Sequence, residues 1–186
     1  MNEKLAKALR ILTLPPVLVL VLILLLRSQY PPLHAAIAVL TLAVFPLLAY
    51  LVWRCVPTLH RQGRPAQRSL AVVFSVIGYV VGLLCCALGH GSVTEWFVYL
   101  CYVISGILIA LSPRCFHVKS SGHACGVVGP VVILALLKSP WFLLGLVLLL
   151  PVWVSSLGLG RHTKQELLLG GLYPAVTAVM LYYGFF

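Results

Sequence analysis

The residues best placed for chemistry in this 186-residue chain are His162 and Glu166, because the chain holds only three acidic residues and no Asp. Four apart at the start of a helix, an imidazole and a carboxylate share a face, so Glu166 can hold one ring nitrogen and leave the other basic. Such an imidazole suits a general base, or a nucleophile attacking phosphorus. The competing reading is structural, since a Glu in a first helical turn is favourable through the helix dipole alone. A second histidine, His123, follows Lys119-Ser120-Ser121-Gly122 and opens an apolar run. A Ser-Gly step entering a helix presents backbone N–H groups, a hydroxyl and the positive end of the dipole to an anion. With Lys119 beside it the segment reads as a phosphate cradle, although an ordinary N-cap followed by a glycine turn has the same residues.

The elements that must position these groups are membrane helices. The chain is 62% hydrophobic and 9% charged, with a mean hydropathy of +1.09. That much apolar surface cannot be hidden in a core of this size. Apolar runs near the roughly 20 residues a spanning helix needs lie at about 10–27, 34–54, 69–89, 94–112, 124–138, 139–157 and 166–186. The fifth and sixth are short and separated only by Lys138-Ser139-Pro140, so two spans and one re-entrant hairpin both fit; two spans are preferred. The expected fold is all-α, a polytopic transmembrane bundle of about six to seven spans forming one domain over residues 1–186. The first run follows Lys4, Lys7 and Arg10 but lacks a small-residue cleavage site, which argues against a signal peptide.

Alternating spans collect eleven of the 13 Lys and Arg on one side: Lys4, Lys7, Arg10, Arg54, Arg61, Arg64, Arg68, Arg114, Lys119, Arg161 and Lys164. Only Arg27 and Lys138 remain for the other. This bias predicts a cytoplasmic basic side and an outward C-terminus. The net charge of +10 then becomes a one-sided field attractive to anionic head groups and phosphates. Nucleic acid is not expected as a partner, because no nucleic-acid module is recognisable. The six cysteines, Cys55, Cys85, Cys86, Cys101, Cys115 and Cys125, form no C-x-x-C pair and read as small apolar fillers rather than as metal ligands or palmitoylation sites. His60 and His117 share the basic side but have no carboxylate near in sequence; His34 and His90 map to the opposite side.

Taken together, the two segments resemble the type 2 phosphatidic acid phosphatase and acid phosphatase superfamily. Ser121-Gly122-His123 is similar to the core of its Pro-Ser-Gly-His motif, and Ser155 through Glu166 to its S-R-x5-H-x3-D motif. The resemblance is concentrated in residues 119–171. It implies a metal-independent hydrolase of phosphate esters needing no cofactor, in which His162 forms a phosphohistidine, Glu166 positions it and His123 protonates the leaving oxygen. It also implies that Ser121, the Gly122 amide and basic side chains hold the phosphoryl oxygens, with Ser155 at the family's Ser position. Four departures stand out: Ser120 replaces Pro, Ser156 replaces the Arg of the third motif, Glu166 replaces Asp, and Pro57 stands where the first motif, which ends here in Arg64-Pro65, has Lys. Lys119, Arg64, Arg68 and Arg161 are the expected substitutes for the lost charge. The Arg64-x3-Arg68 and Lys119-x-Ser121-x-His123 patterns are similar to those of some bacterial members.

The resulting expectation is a phosphatase in the bacterial cell membrane, working at the cytoplasmic leaflet on a phosphorylated lipid of the phosphatidate, phosphatidylglycerophosphate or isoprenyl phosphate type. A catalytically inactive relative that binds lipid or a protein partner is the alternative. A transporter or channel fits less well, because the spans carry almost no charge and no evident ion path.

Overall fold

The computed structural model describes residues 13–186, so Lys4, Lys7 and Arg10 lie outside the described residues. Among the described residues, apart from a 3-10 turn at Arg27–Gln29, the helices follow in the order α1 (Pro15–Leu25), α2 (Pro32–Cys55), a short α3 (Pro57–Arg61), α4 (Gly63–Leu88), α5 (Val93–Cys115), α6 (Gly122–Leu137), α7 (Pro140–Gly158) and α8 (Lys164–Phe185). The architecture is all-α, a bundle of helices apolar enough to belong in a membrane. Five of them, α2, α4, α5, α7 and α8, have the length and hydropathy to cross one. α1 and α6 are apolar but shorter, so two of the seven expected runs do not become helices of full spanning length. Lys138 and Ser139 turn the chain between α6 and α7, and the opening turns of α7, Pro140–Leu148, wind as a tighter 3-10 helix. The two helices pack as a hairpin, with Gly145 close against Val131.

Local chemistry sets the helix starts. Pro15 and Pro32 begin α1 and α2, where a missing N–H costs nothing and the fixed φ already suits a helix. Ser92, Ser121 and Thr163 cap α5, α6 and α8, each accepting a main-chain N–H from the third residue of its helix. Within α2 the segment Leu40–Val44 widens into a π turn just before Pro46, a register change that accommodates a residue with no N–H to donate.

α8 packs along α6 and α5, α4 along α2 and α5, and α1 along α6 and the π turn of α2. Gly78 and Gly82, one turn apart on α4, let it approach α2 closely: a Cβ on either would run into Thr41. Small residues at that spacing bring membrane helices together where no hydrophobic force separates helix from lipid. The main core runs through Leu22, Leu42, Phe97, Tyr99 and Ile133, and a smaller cluster of Ala124, Val127, Val152 and Leu167 lies under the turns at the basic end.

At the end opposite the basic loops, Glu95 is almost fully buried and its Oε2 lies 2.7 Å from Nδ1 of His34, an ion pair if the imidazole is protonated. Glu166 is therefore not the only acid that orients an imidazole. The Glu95 pair spans 61 residues of sequence, a distance at which no local pattern signals it. Ser92 Oγ lies 3.3 Å from Glu95 Oε1, and Thr94 Oγ1 donates to Gln29 Oε1 at 2.7 Å, so the α1–α2 connection is tied to the start of α5. Removing one partner of a buried pair strands the other. Glu95→Ala and His34→Ala are each expected to cost roughly 3 kcal/mol, the low end for such pairs because His34 keeps some exposure. Thermal unfolding in detergent checks this: the double substitution should be far milder than the sum of the singles, and strict additivity would show that the pair contributes nothing.

Candidate functional site

The basic end is formed by the connections 56–62, 116–121 and 159–163. α7 ends at Gly158, the chain turns at Gly160, which takes a left-handed φ of 59°, and Arg161 N donates back to Ser156 O at 2.9 Å. This tight turn delivers His162 to the position just before the cap of α8. Helix α8 begins at Lys164 with Thr163 as N-cap, two residues later than a helix that includes His162 would. His162 thus meets Glu166 through the capping geometry rather than across a helical face. Thr163 Oγ1 accepts from Glu166 N at 3.2 Å, and Glu166 Oε2 takes both Thr163 N at 3.3 Å and His162 Nδ1 at 2.8 Å. The carboxylate is a cap and an imidazole holder at once. The contact on Nδ1 fixes which ring nitrogen faces Glu166 and turns Nε2 to the other side of the imidazole.

The second segment arrives on α6. Ser121 is fully buried and caps the helix, its Oγ accepting from Ala124 N at 3.4 Å. The expected role of Ser121 as a phosphate ligand is corrected to this extent: its acceptor side serves the helix. Gly122 is exposed, a Cβ there would meet nothing within 4 Å, and its amide, first in the helix, has no intrahelical acceptor. His123 follows on the first turn, half-buried.

Main-chain contact joins the segments. Ser121 N donates to Glu166 O at 2.8 Å. One turn further along α8, Gly170 sits so close that a Cβ would fall 2.8 Å from Ser121 N and 3.0 Å from its carbonyl carbon. The start of α6, with His123, and the start of α8, with His162 and Glu166, therefore meet at one crossing.

The basic residues differ in how they reach it. Arg68, on the first turns of α4, donates from a terminal nitrogen to Ser120 O at 3.0 Å and lies within electrostatic reach of Glu166. Arg161 is half-buried beside His162, and Lys119 is exposed on the loop before Ser120. Arg64 is exposed one turn before Arg68, so the expected convergence of the two arginines holds for Arg68 only as far as contacts show. Ser155, expected to touch phosphate, is fully buried and donates to Val152 O of its own helix at 3.2 Å, and Ser156 is buried beside it. His60 packs against Trp53 with the two rings tilted, their centroids 4.4 Å apart. Among the described residues no three His, Cys, Asp or Glu side chains are grouped to hold a metal ion.

Gly170, Ser112 and Tyr173 also shape the site, and sequence reasoning passed over them. A glycine in an apolar helix and hydroxyls at helix ends carry no signal until the crossing is known. Comparison with protein-family models, with curated proteins and with solved structures finds no match for the chain.

The crossing makes a sharp contrast between adjacent glycines. Gly170→Ala pushes a methyl into the main chain of Ser121 and is expected to destabilise by about 1–3 kcal/mol. Gly171→Ala meets only the end of the Val128 side chain, at 3.3 Å, and should be close to neutral. Equal melting temperatures for the two variants would show that the helices do not touch at Ser121.

Proposed function

We propose that the chain is a metal-independent phosphatase of membrane lipids that works through a phosphohistidine on His162, with the basic end facing the cytoplasm. The observation that carries this reading is the crossing of α6 and α8, where an imidazole held by a carboxylate stands at the same helix junction as a second histidine, a glycine amide and Arg68.

In the proposed reaction the phosphate of a lipid monoester or diphosphate binds between the Gly122 amide, Arg68 and Lys119, whose positive charge matches the equatorial oxygens of the transferring group. His162 Nε2 attacks phosphorus as the bond to the lipid oxygen breaks, and His123 gives that oxygen its proton. The Glu166 carboxylate, in contact with Nδ1, stabilises the positive charge on the His162 ring. Water then attacks the phosphohistidine, His123 takes its proton back, and the N–P bond breaks to release phosphate. The tail lies in lipid or between helices, where each buried methylene adds about 0.8 kcal/mol of binding.

Purified protein in detergent, with EDTA present, is expected to release phosphate from phosphatidate, phosphatidylglycerophosphate or an isoprenyl phosphate. His162→Ala should lower kcat by about a thousandfold or more, the scale of deleting a nucleophile. Glu166→Gln should cost roughly tenfold to a hundredfold. Activity that survives His162→Ala would sink the mechanism. One observation favours a second reading, a relative that binds lipid or a partner without turnover: Ser156, where the resembling family has Arg, is buried and uncharged. Absence of phosphate release from all three lipid types would favour it.

Orientation has its own test. His60 and His90 are exposed at opposite ends of the bundle. In a cysteine-free background, an impermeant maleimide applied to intact cells is expected to label His90→Cys and spare His60→Cys; the reverse pattern would put the basic end outside.

A further inference from the structure

We propose that Ser112 and Tyr173 are positioning residues that set the anion-binding loop, residues 116–121, from α8; the kinetic part of this inference rests on the function proposed above. Ser112 lies in the last turn of α5 and is fully buried. Its Oγ donates to Val118 O at 2.8 Å, and Tyr173 Oη donates to Ser112 Oγ at 3.0 Å. The directions follow from the inventory: a serine hydroxyl has one proton, and a carbonyl can only accept, so Ser112 gives its proton to Val118 and receives that of Tyr173. A directed relay runs from α8 through α5 into the loop.

The loop needs such a hold. His117 sits at φ 54°, a left-handed conformation uncommon for a residue with a Cβ, and the chain must reverse there to carry Lys119 to the start of α6. Beyond that bend Val118 O is held by Ser112, Ser120 O by Arg68 and Ser121 N by Glu166 O. Three helices thus pin three of the four residues 118–121. On α8, Glu166, Gly170 and Tyr173 follow at intervals of four and three residues and so share one face. That face carries the imidazole holder, touches Ser121 and anchors the loop. A displacement of α8 would move the nucleophile and the anion loop together, keeping His162 in register with the phosphate.

The bland alternative is that two hydroxyls satisfy each other inside a helix packing. Hydrogen exchange separates the two readings without reference to turnover. In purified detergent-solubilised protein, Tyr173→Phe is expected to speed exchange at the amides of residues 117–121 about tenfold and leave α4 and α7 unchanged. Ser105→Ala on the same helix, which removes a buried hydroxyl with no hydrogen-bond partner, should leave the loop as in the wild type. If Ser112→Ala does not fold, Tyr173→Phe, which keeps the ring, carries the test.

In the phosphatase assay Tyr173→Phe should lower kcat by about tenfold to a hundredfold with KM changed less than about twofold. The double variant should be no worse than Ser112→Ala alone, because both act through one relay. Unchanged loop exchange in Tyr173→Phe overturns the inference whatever the activity. A wild-type protein that releases no phosphate, yet loosens the loop on Tyr173→Phe, rejects the proposed function and keeps the relay.

Discussion

The contact between Ser121 and α8 is the constraint on which the basic end depends. An unpaired amide away from water is costly, and Ser121 N is paired with a carbonyl from the first turn of another helix. Such a bond needs the two backbones almost in touch, and Gly170 supplies the room. Once made, it brings together the N-termini of α6 and α8. Each carries a partial positive charge of about half a unit, and Arg68 adds a full one. Among the described residues the carboxylate at the junction is Glu166, which is already engaged by Thr163 and His162. The electrostatics of the crossing therefore favour a further anion.

Two glutamates in this chain use one local device at opposite ends. Ser92 and Thr163 each stand three residues before a Glu and cap the helix that the Glu enters, and each Glu also holds a histidine. The difference is access. Glu95 keeps 2% of its side-chain surface and Glu166 17%, whereas the two histidines are alike, His34 at 17% and His162 at 15%. The contrast lies in the carboxylate, one enclosed by the bundle and one at its rim. Spacing alone does not decide between these outcomes, because the capping pattern is the same in both.

This limits what the sequence could show. The helices were legible, since apolar runs and capping residues act locally, and so was the pairing of His162 with Glu166. Its geometry was not, because the spacing fits a helical face and a capping turn equally well. The helix contacts of Ser121 and Ser155 were hidden for a related reason: a hydroxyl next to a helix end can serve the helix or a ligand, and both of these engage their own helix. His34 with Glu95, Gly170 against Ser121, and Tyr173 with Ser112 all join residues distant in the chain. The helix lengths also escaped hydropathy, as a run of apolar residues does not reveal that α6 stops at Leu137 or that α7 opens as a 3-10 coil.

Those lengths have a consequence for depth. At 1.5 Å per residue, α4 with its 26 residues is about 39 Å long and α6 with its 16 about 24 Å. The hydrocarbon layer is about 30 Å thick, so one helix outruns it and the other falls short. The two helices therefore cannot both end flush with the boundaries of that layer. Charge interactions strengthen as water is withdrawn, so a cation at the end of a helix that stops short of the boundary counts for more than the same cation on an open surface.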